Sequence, residues 1–514
     1  MSRMCVVATA ALAMGAVAAG CGSGSGQTSP GAGKGGTLNV AYGLPASSLN
    51  PAEIDQASEW FVDLAYDPLI GMDAKGAPTP ALATSWRYVG AGNRRFELTL
   101  REGVRFSDGG VLSAQGVKAH LDYVRKANGP NAQYLSGVKA ITAVGVRTVR
   151  IDLKVPNPLM ATMLSHQYVV GDVISPKALR RPDALSTASA GAGPYVLDTK
   201  ATVSGDHYTY RANPTYWNKA QIHYDRVVIK VIANANSTLN ALKTRQVSVA
   251  GGEFTTVGGA ERAGLTIKST PQVSMGMLLA DRAGTLAKPL ADVRVRQAIN
   301  YALDRPAIVN ALFGRYGRPT TQTTNGQGFD PALDRYYPHD PAKARALLAA
   351  AGYPDGFTLP LLSSALAGGD VIAQAMAGQL DKVGIKLKIS STSNLSQYAN
   401  KLFGGDSPAA VIGYGSQPMY LEGPGLYLPK ATFNPFGSQD ATVDALYAKL
   451  TTAAAGEADA VSRQIQRRLV ELGWFAPVGF APLVYYADKS VDPDSLRTSP
   501  NAPIPPIAEL RPAG

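Results

Sequence analysis

Hydrophobic and polar positions along the chain first predict a strand at Thr37 to Ala41. Further on, Phe96, Leu98 and Leu100 alternate with polar residues, as do Val104 and Phe106, and Asp108-Gly109 supplies turn chemistry directly after them. A helix is expected next, capped by Ser113, with Val117, Leu121 and Val124 on one face. Val149, Ile151 and Leu153 mark another half-buried strand. Val227 to Ile232 is an apolar run broken only by Lys230, which predicts a strand covered on both sides.

The second half reads as α/β. From Asp292 to Leu303, Val295, Ala298, Ile299, Ala302 and Leu303 follow the i, i+3, i+4, i+7 spacing of a helix, and Asp304-Pro306 opens another with Ile308, Val309, Leu312 and Phe313 inward. Asp340-Pro341 starts a third that Gly352 closes. Ile372, Ala375, Met376, Leu380 and Val383 form a helical stripe ending at Gly384, and Ile385, Leu387 and Ile389 alternate at once as a strand. Helix-to-strand units of this kind imply an open mixed sheet. No internal repeat occurs, and the Ala-rich stretches sit inside amphipathic patterns.

Length divides this material. The chain has 514 residues, 45% of them hydrophobic, and a single core stops growing near about 250–300 residues, so at least two lobes are expected. The formal net charge of +11 raises nucleic acid as a partner. Lys and Arg are scattered, however, with neither a run nor a stripe interleaved with aromatics, and nucleic-acid binding is not expected. A weak attraction to an anionic cell surface is the plainer reading.

The N-terminus carries a separate message. Arg3 precedes an apolar stretch from Val6 to Ala19, shorter than the roughly 20 residues that span a bilayer, and this reads as a signal peptide over residues 1–20. Val17-Ala18-Ala19-Gly20-Cys21 resembles a bacterial lipobox, with Cys21 as the lipid attachment point. Of the two cysteines, Cys5 would leave with the signal peptide and Cys21 would carry lipid, so no disulfide or cysteine metal site is expected. Residues 21–36 form a Gly/Ser/Pro-rich tether. Export and anchoring to the outer face of the cytoplasmic membrane are the resulting expectation.

Searches for catalytic signatures return chance matches. Gly31-x-Gly33-x-x-Gly36 fits the dinucleotide fingerprint but precedes the first strand. Ser136-x-x-Lys139 stands without the motifs that accompany it in penicillin-binding enzymes. No G-x-S-x-G or Walker A occurs, and His120, His166, His207, His223 and His339 are spread too far for a metal motif, so each is expected at the surface or a core edge. No catalytic residue, metal or cofactor is expected.

Several segments nonetheless converge. Tyr66-Asp67-Pro68-Leu69-Ile70, Pro80 to Trp86, Phe96 to Gly109, Gly191-Ala192-Gly193-Pro194-Tyr195, Asn213-Pro214-Thr215-Tyr216-Trp217, and Asp292 to Ala298 with Ala302 to Arg305 resemble, in order, the signature of family 5 extracellular solute-binding proteins, the oligopeptide, dipeptide and nickel binders of ABC importers. The resemblance implies an α/β, type II periplasmic-binding-protein fold of two lobes with an extra subdomain inserted in the first. It implies lobe I from residues 37–70, 190–283 and 481–514, the inserted subdomain at 71–189, and lobe II at 284–480. It implies a monomeric binding protein and not an enzyme, closing on a small peptide or peptide-sized solute and serving an ABC permease with its ATPases. Trp86, Phe96 and Trp217 are expected in core packing, and Gly193-Pro194 in a turn.

In peptide-binding members a segment resembling G-W-x-x-D offers an aromatic wall and an Asp to the peptide ammonium. The matching stretch here is Gly413 to Tyr420, with Tyr414 at the wall and Gln417 where the carboxylate would stand; Glu422, nearby, is the alternative anion. Binding candidates are Tyr42, Gly43, Tyr414, Gln417, Tyr420 and Tyr485. A free-amine peptide, a neutral ligand such as an oligosaccharide or modified metabolite, and a metal chelate remain open as ligands, as does an orphan receptor with the same fold.

Overall fold

The computed structural model describes residues 35–514 except 128, 366 and 367. The expected signal peptide, Cys21 and the expected tether up to residue 34 lie outside the described residues. Among the described residues no helix is long and apolar enough to cross a membrane.

One mixed sheet runs through both lobes. At its first end Tyr195–Leu197, His207–Ala212, Arg226–Val231, Thr37–Tyr42 and Val249–Gly252 lie side by side, with Thr37–Tyr42 parallel to both of its neighbours. At the other end Ala409–Gly415, Phe357–Ser364 and Ile385–Thr392 continue the sheet, the last two parallel across the helix Gly369–Leu380. Two long antiparallel strands, Thr266–Leu279 and Phe475–Ala487, join the ends: Thr266 pairs with Ala487 beside lobe I, and Leu278 pairs with Phe475 beside lobe II. These are the two crossings between the lobes.

Each crossing strand carries one bulge. Gln272 lacks an opposite partner between the pairs Pro271–Pro482 and Val273–Ala481, and Val478 lacks one between Met275–Gly479 and Gly276–Pro477. A bulge locally bends and twists a strand, so the sheet turns where it passes from one lobe to the other. Gly276 is required there by close approach, because a Cβ on it would lie 2.5 Å from both Ala476 O and Pro477 Cα. The buried Arg305 guanidinium fixes the same place, donating to Pro477 O at 2.7 Å and to the Asn300 carbonyl and side chain.

The inserted subdomain is a four-stranded antiparallel sheet, in the order Ala83–Tyr88, Arg95–Leu100, Thr148–Leu153 and Val138–Val144. The helix Ala114–Lys126 covers it, with Val117, Leu121 and Val124 buried as the periodicity predicts and Ser113 Oγ accepting from Gly116 N at 3.2 Å. The helices Val293–Tyr301, Arg305–Phe313 and Pro341–Ala350 likewise start on Asp292, Asp304 and Asp340, whose side chains accept from the first-turn amides. Two local expectations change. Val104 and Phe106 are buried, but their segment forms a turn with one bridge, Arg105–Val111, in place of a strand. In Arg226–Val231 only Val227 and Ile229 are buried, so one face is half open where two covered faces were expected.

The scattered motifs meet in space around Asp67. Trp217 Nε1 donates to Asp67 at 2.6 Å and Tyr216 Oη at 3.2 Å, Arg101 lies 4.0 Å over the Trp217 ring, and Gly193 N bonds the Ala65 carbonyl at 3.0 Å. Asn213 Nδ2 donates to Gly193 O at 2.8 Å. Of these contacts, Arg101 over Trp217 joins the subdomain to lobe I, and the others tie segments of lobe I together.

Candidate functional site

The strand Ala409–Gly415 ends at the edge of lobe II that faces the subdomain, and its last residues carry the site. Ser416 N donates to Gln272 O and Asn325 N donates to Ser416 Oγ, so the turn is pinned before Gln417 begins. The Thr324 hydroxyl donates to Gln417 O at 2.9 Å, but the Gln417 carboxamide makes no hydrogen bond among the described residues. It faces two cavities at once, of about 640 and about 490 Å³.

Segments far apart in sequence build the walls. The larger cavity has Trp86, Tyr88, Phe96 and Tyr168 from lobe I and its subdomain, facing Gln327 and Gln417. Across the smaller, Tyr134 and Asn157 face Tyr414, Tyr420 and Tyr447. The aromatic rings brace one another: Tyr168 stands edge-on to Tyr134 at 5.0 Å, Tyr414 edge-on to Phe433 at 5.5 Å, and Tyr420 stacks on Tyr447 at 5.9 Å. Apolar walls with a few fixed polar groups are what a small-molecule pocket of this size requires. Charge is nearly absent. Among the described residues the larger cavity touches one acidic or basic side chain, Asp459, already held by Gly328 N and Arg463; the smaller touches none.

The lobes touch on several sides of the cavities. Asn93, at φ 51° in a turn of the subdomain, donates to Ala453 O at 2.8 Å and Thr451 O at 3.2 Å of lobe II. Tyr420 Oη donates to Pro156 O at 3.1 Å, and Gln327 N to Asn501 Oδ1 at 3.2 Å. These bonds bridge the lobes beside the cavities and leave space for a solute between them.

Of the six binding candidates, Tyr414, Gln417 and Tyr420 come together at the cavities. The other three do not. Tyr485 is buried in the lobe I core with its ring 5.7 Å from Trp60. Tyr42 packs on Trp60 and Phe61 and gives its hydroxyl proton to Ala57 O, while Gly43 is exposed beside it, away from either cavity. The end of the first strand is thus occupied by aromatic packing. Phe96 is fully buried in the core as expected, whereas Trp86 and Trp217 are both half-buried, Trp86 lining the larger cavity and Trp217 packing over Asp67, where core packing was expected.

Glu422 is withdrawn from the site. It is fully buried, lines neither cavity, and sits behind Thr323 and the Gln417 backbone. Burial pushes its carboxyl up to about 8, against the opposing pull of the Thr323 hydroxyl and Gln417 N–H. That hydroxyl has one proton and two acceptors in reach, Glu422 Oε2 at 2.7 Å and Gln466 Oε1 at 3.2 Å. A protonated Glu422 donating to Thr323 Oγ, which donates onward to Gln466, satisfies all three. The group is a neutral structural acid, not an ammonium receptor.

One histidine, His120, departs from the surface or core-edge expectation, while His166 is at a core edge. His120 is fully buried; Ile174 N donates to its Nδ1 at 3.3 Å, Nε2–H donates to Val170 O at 3.1 Å, and burial pushes it down to about 4. His166 lies between two carboxylates in lobe I, Asp63 and Asp172, each at 3.0 Å.

The family model described as bacterial extracellular solute-binding proteins, family 5, middle region, matches residues 77–430. The chain belongs to family 5. The glutathione-binding protein GsiB of Salmonella typhi is 28% identical over 369 residues, 68% of this chain and 69% of that protein. Among solved structures, the ABC transporter substrate-binding protein CtaP (Lmo0135) of Listeria monocytogenes superposes with a TM-score of 0.79 at 21% identity, covering 94% of this chain and all 100% of that one. DppA of Helicobacter pylori, in complex with the peptide STSA, gives 0.71 at 21% identity over 93% and 98%. Like other family 5 proteins, the chain is a substrate-binding component of ABC import and not an enzyme, and the fold is the two-lobed periplasmic-binding one.

Proposed function

We propose that this family 5 protein captures a peptide or peptide-sized solute between its lobes and presents it to an ABC permease, acting as a monomer held to the membrane by lipid on Cys21. The observation that carries the reading is the pair of aromatic, nearly charge-free cavities that meet at the unbonded Gln417 carboxamide. An amide offers one acceptor and two donors, the complement of a peptide unit, and tyrosine walls bury apolar side chains while keeping hydroxyls for polar ones. Tyr414, Gln417 and Tyr420 are the proposed contacts on lobe II, with Trp86 and Tyr134 opposite. The names of the relatives point the same way, since GsiB is a glutathione binder and DppA is bound to a peptide.

A second reading, a neutral non-peptide solute, is favoured by one observation: position 417 carries an amide where the family's peptide binders place a carboxylate. Native mass spectrometry of the purified chain, followed by melting-shift titration of each co-purified mass, tests both. A mass of two to five residues that raises the melting temperature supports the first reading. A sugar or other non-peptide mass doing so moves the assignment to the second, and chemical turnover of the bound molecule defeats both.

A further inference from the structure

A third cavity, of about 190 Å³, opens behind the larger cleft cavity and shares Met72 and Gln167 with it. It lies inside lobe I, between the helical turn Trp60–Asp63, the hairpin around Met72 and the C-terminal segment 497–509. Its lining differs sharply from the cleft. Glu59, Asp63, Asp67, Asp73 and Glu509 face it, with His166 and Arg497 as the cationic side chains.

Tracing the partners of these carboxyls leaves one without any among the described residues, and Asp73 accepts from Lys75 N and Ala77 N. His166 serves two carboxylates, Asp63 at Nε2 and Asp172 at Nδ1, and their attraction, overcoming burial, pushes the imidazole up to about 10. Asp67 accepts from Trp217 and Tyr216. Glu509 is paired with Arg497. Glu59 has no such partner. It is 6% exposed, and its Oε2 has no hydrogen bond among the described residues. Burial and then Asp63 push its carboxyl well above the usual range, His166 countering only in part. A buried polar group without a partner is costly, and natural structures keep few of them.

We propose that this annex receives a cationic group, a primary ammonium or a guanidinium, carried by the solute held in the cleft, with Glu59 as its direct anion and Asp63 beside it. The inference rests on the solute-binding reading above and assigns where that solute's positive charge goes. Position 417 offers no carboxylate, and Asp459, the one acidic side chain among the described residues of the two cleft cavities, is already held. The unpartnered carboxyl lies one wall further in, beyond Met72 and Gln167, and an arriving cation favours its ionised form. A cation arriving at Glu59 gains a charge-assisted bond, which is stronger than a neutral one.

The test is isothermal calorimetry on the purified full chain with two tripeptides, Ala-Lys-Ala and Ala-norleucine-Ala, which share an apolar stem and differ in the charge. Wild type is expected to bind the lysyl peptide at least about tenfold more tightly. Glu59→Gln, nearly isosteric, is expected to erase that preference while leaving the norleucyl affinity within about twofold. Ile504→Trp, which fills the annex from a residue that lines neither cleft cavity, provides a second variant and is expected to do the same. Equal affinities in wild type, or a preference that survives both substitutions, overturns the proposal. If neither tripeptide binds, the peptide reading of the cleft falls, and n-butylammonium and n-butylguanidinium then read the annex alone: saturable heat with wild type and none with Glu59→Gln sustains it, and no heat with wild type overturns it.

Discussion

Gln272 and Ser416 hold each other twice, the Gln272 carboxamide donating to Ser416 O at 2.8 Å and the Ser416 N–H donating to Gln272 O at 2.8 Å. Gln272 is the unpaired residue of the bulge where a crossing strand bends between the lobes, and Ser416 immediately precedes Gln417. The point at which the sheet turns is therefore bonded to the residue next to the one at the meeting of the two cavities.

Replacing Gln272 by Ala removes one bond of this pair and leaves the buried Ser416 carbonyl short of a donor. A loss of about 1–2 kcal/mol in unfolding free energy is expected by denaturant titration. Solute affinity is expected to fall with it, since the Gln417 turn loosens. Unchanged affinity alongside the lost stability separates the bulge from the site.

The lobes are bridged beside the cavities by a few neutral hydrogen bonds, so their relative position is easily biased. Asn93→Ala deletes the donor to Ala453 and Thr451, and Tyr420→Phe deletes the donor to Pro156. Each change is expected to weaken solute binding by about fivefold, the population shift from roughly 1 kcal/mol of lost closing contact. Small-angle scattering of the solute-free variants is expected to give a larger radius of gyration than wild type, and saturating solute to restore it. Identical scattering would show that these bonds do not govern closure.

Restoring a carboxylate at position 417 tests the ligand's amine. Gln417→Asp is expected to raise affinity for peptides with a free N-terminal ammonium by about tenfold or more, the worth of one charge-assisted bond. N-acetylated forms of the same peptides are expected to gain nothing. Calorimetry on matched peptide pairs reads the difference.

Glu422 makes stability depend on pH in a defined direction. Its carboxyl is raised in the folded protein, from an ordinary 4.5 to about 8. The folded state therefore holds a proton that the unfolded chain releases, and the advantage of the neutral acid is full below about pH 4.5 and is lost as pH rises through 8. Glu422→Gln, which cannot ionise, is expected to gain on wild type by on the order of 3 kcal/mol between pH 5 and pH 8. Chemical denaturation at the two pH values measures it, and parallel loss in both proteins contradicts the assignment.

Cys21 lies outside the described residues, and its role is tested in cells. Cys21→Ser is expected to abolish incorporation of labelled fatty acid and release the protein from membranes. Binding measured on the purified chain is expected to stay unchanged, because the fold begins beyond the tether.

The chain's local instructions were written in the order of its residues. Asp292, Asp304, Asp340 and Ser113 start helices through bonds to amides two or three residues away, and apolar spacing at 3.6 or 2 selects helix or strand without reference to distant partners. The family motifs also stand in the sequence, although their physical reason is tertiary: Asp67, Arg101, Gly193 and Trp217 matter because they meet. Tyr414, Gln417 and Tyr420 were reachable because they share one short segment and one motif.

What the sequence alone left undecided is which side of a wall each group occupies. Tyr42 and Tyr485 look as suitable for a ligand as Tyr134 and Tyr168, yet the first pair packs around Trp60 and the second faces the cavities. Glu422 is five residues from Gln417 and fully buried, and His166 is drawn between Asp63 and Asp172 from opposite sides along the chain. Burial, the neighbours of a charge and the shape of an enclosed space are sums over residues far apart in the chain. Helix caps and apolar periodicity depend on neighbours within a few positions, and so they alone could be read before the chain was folded.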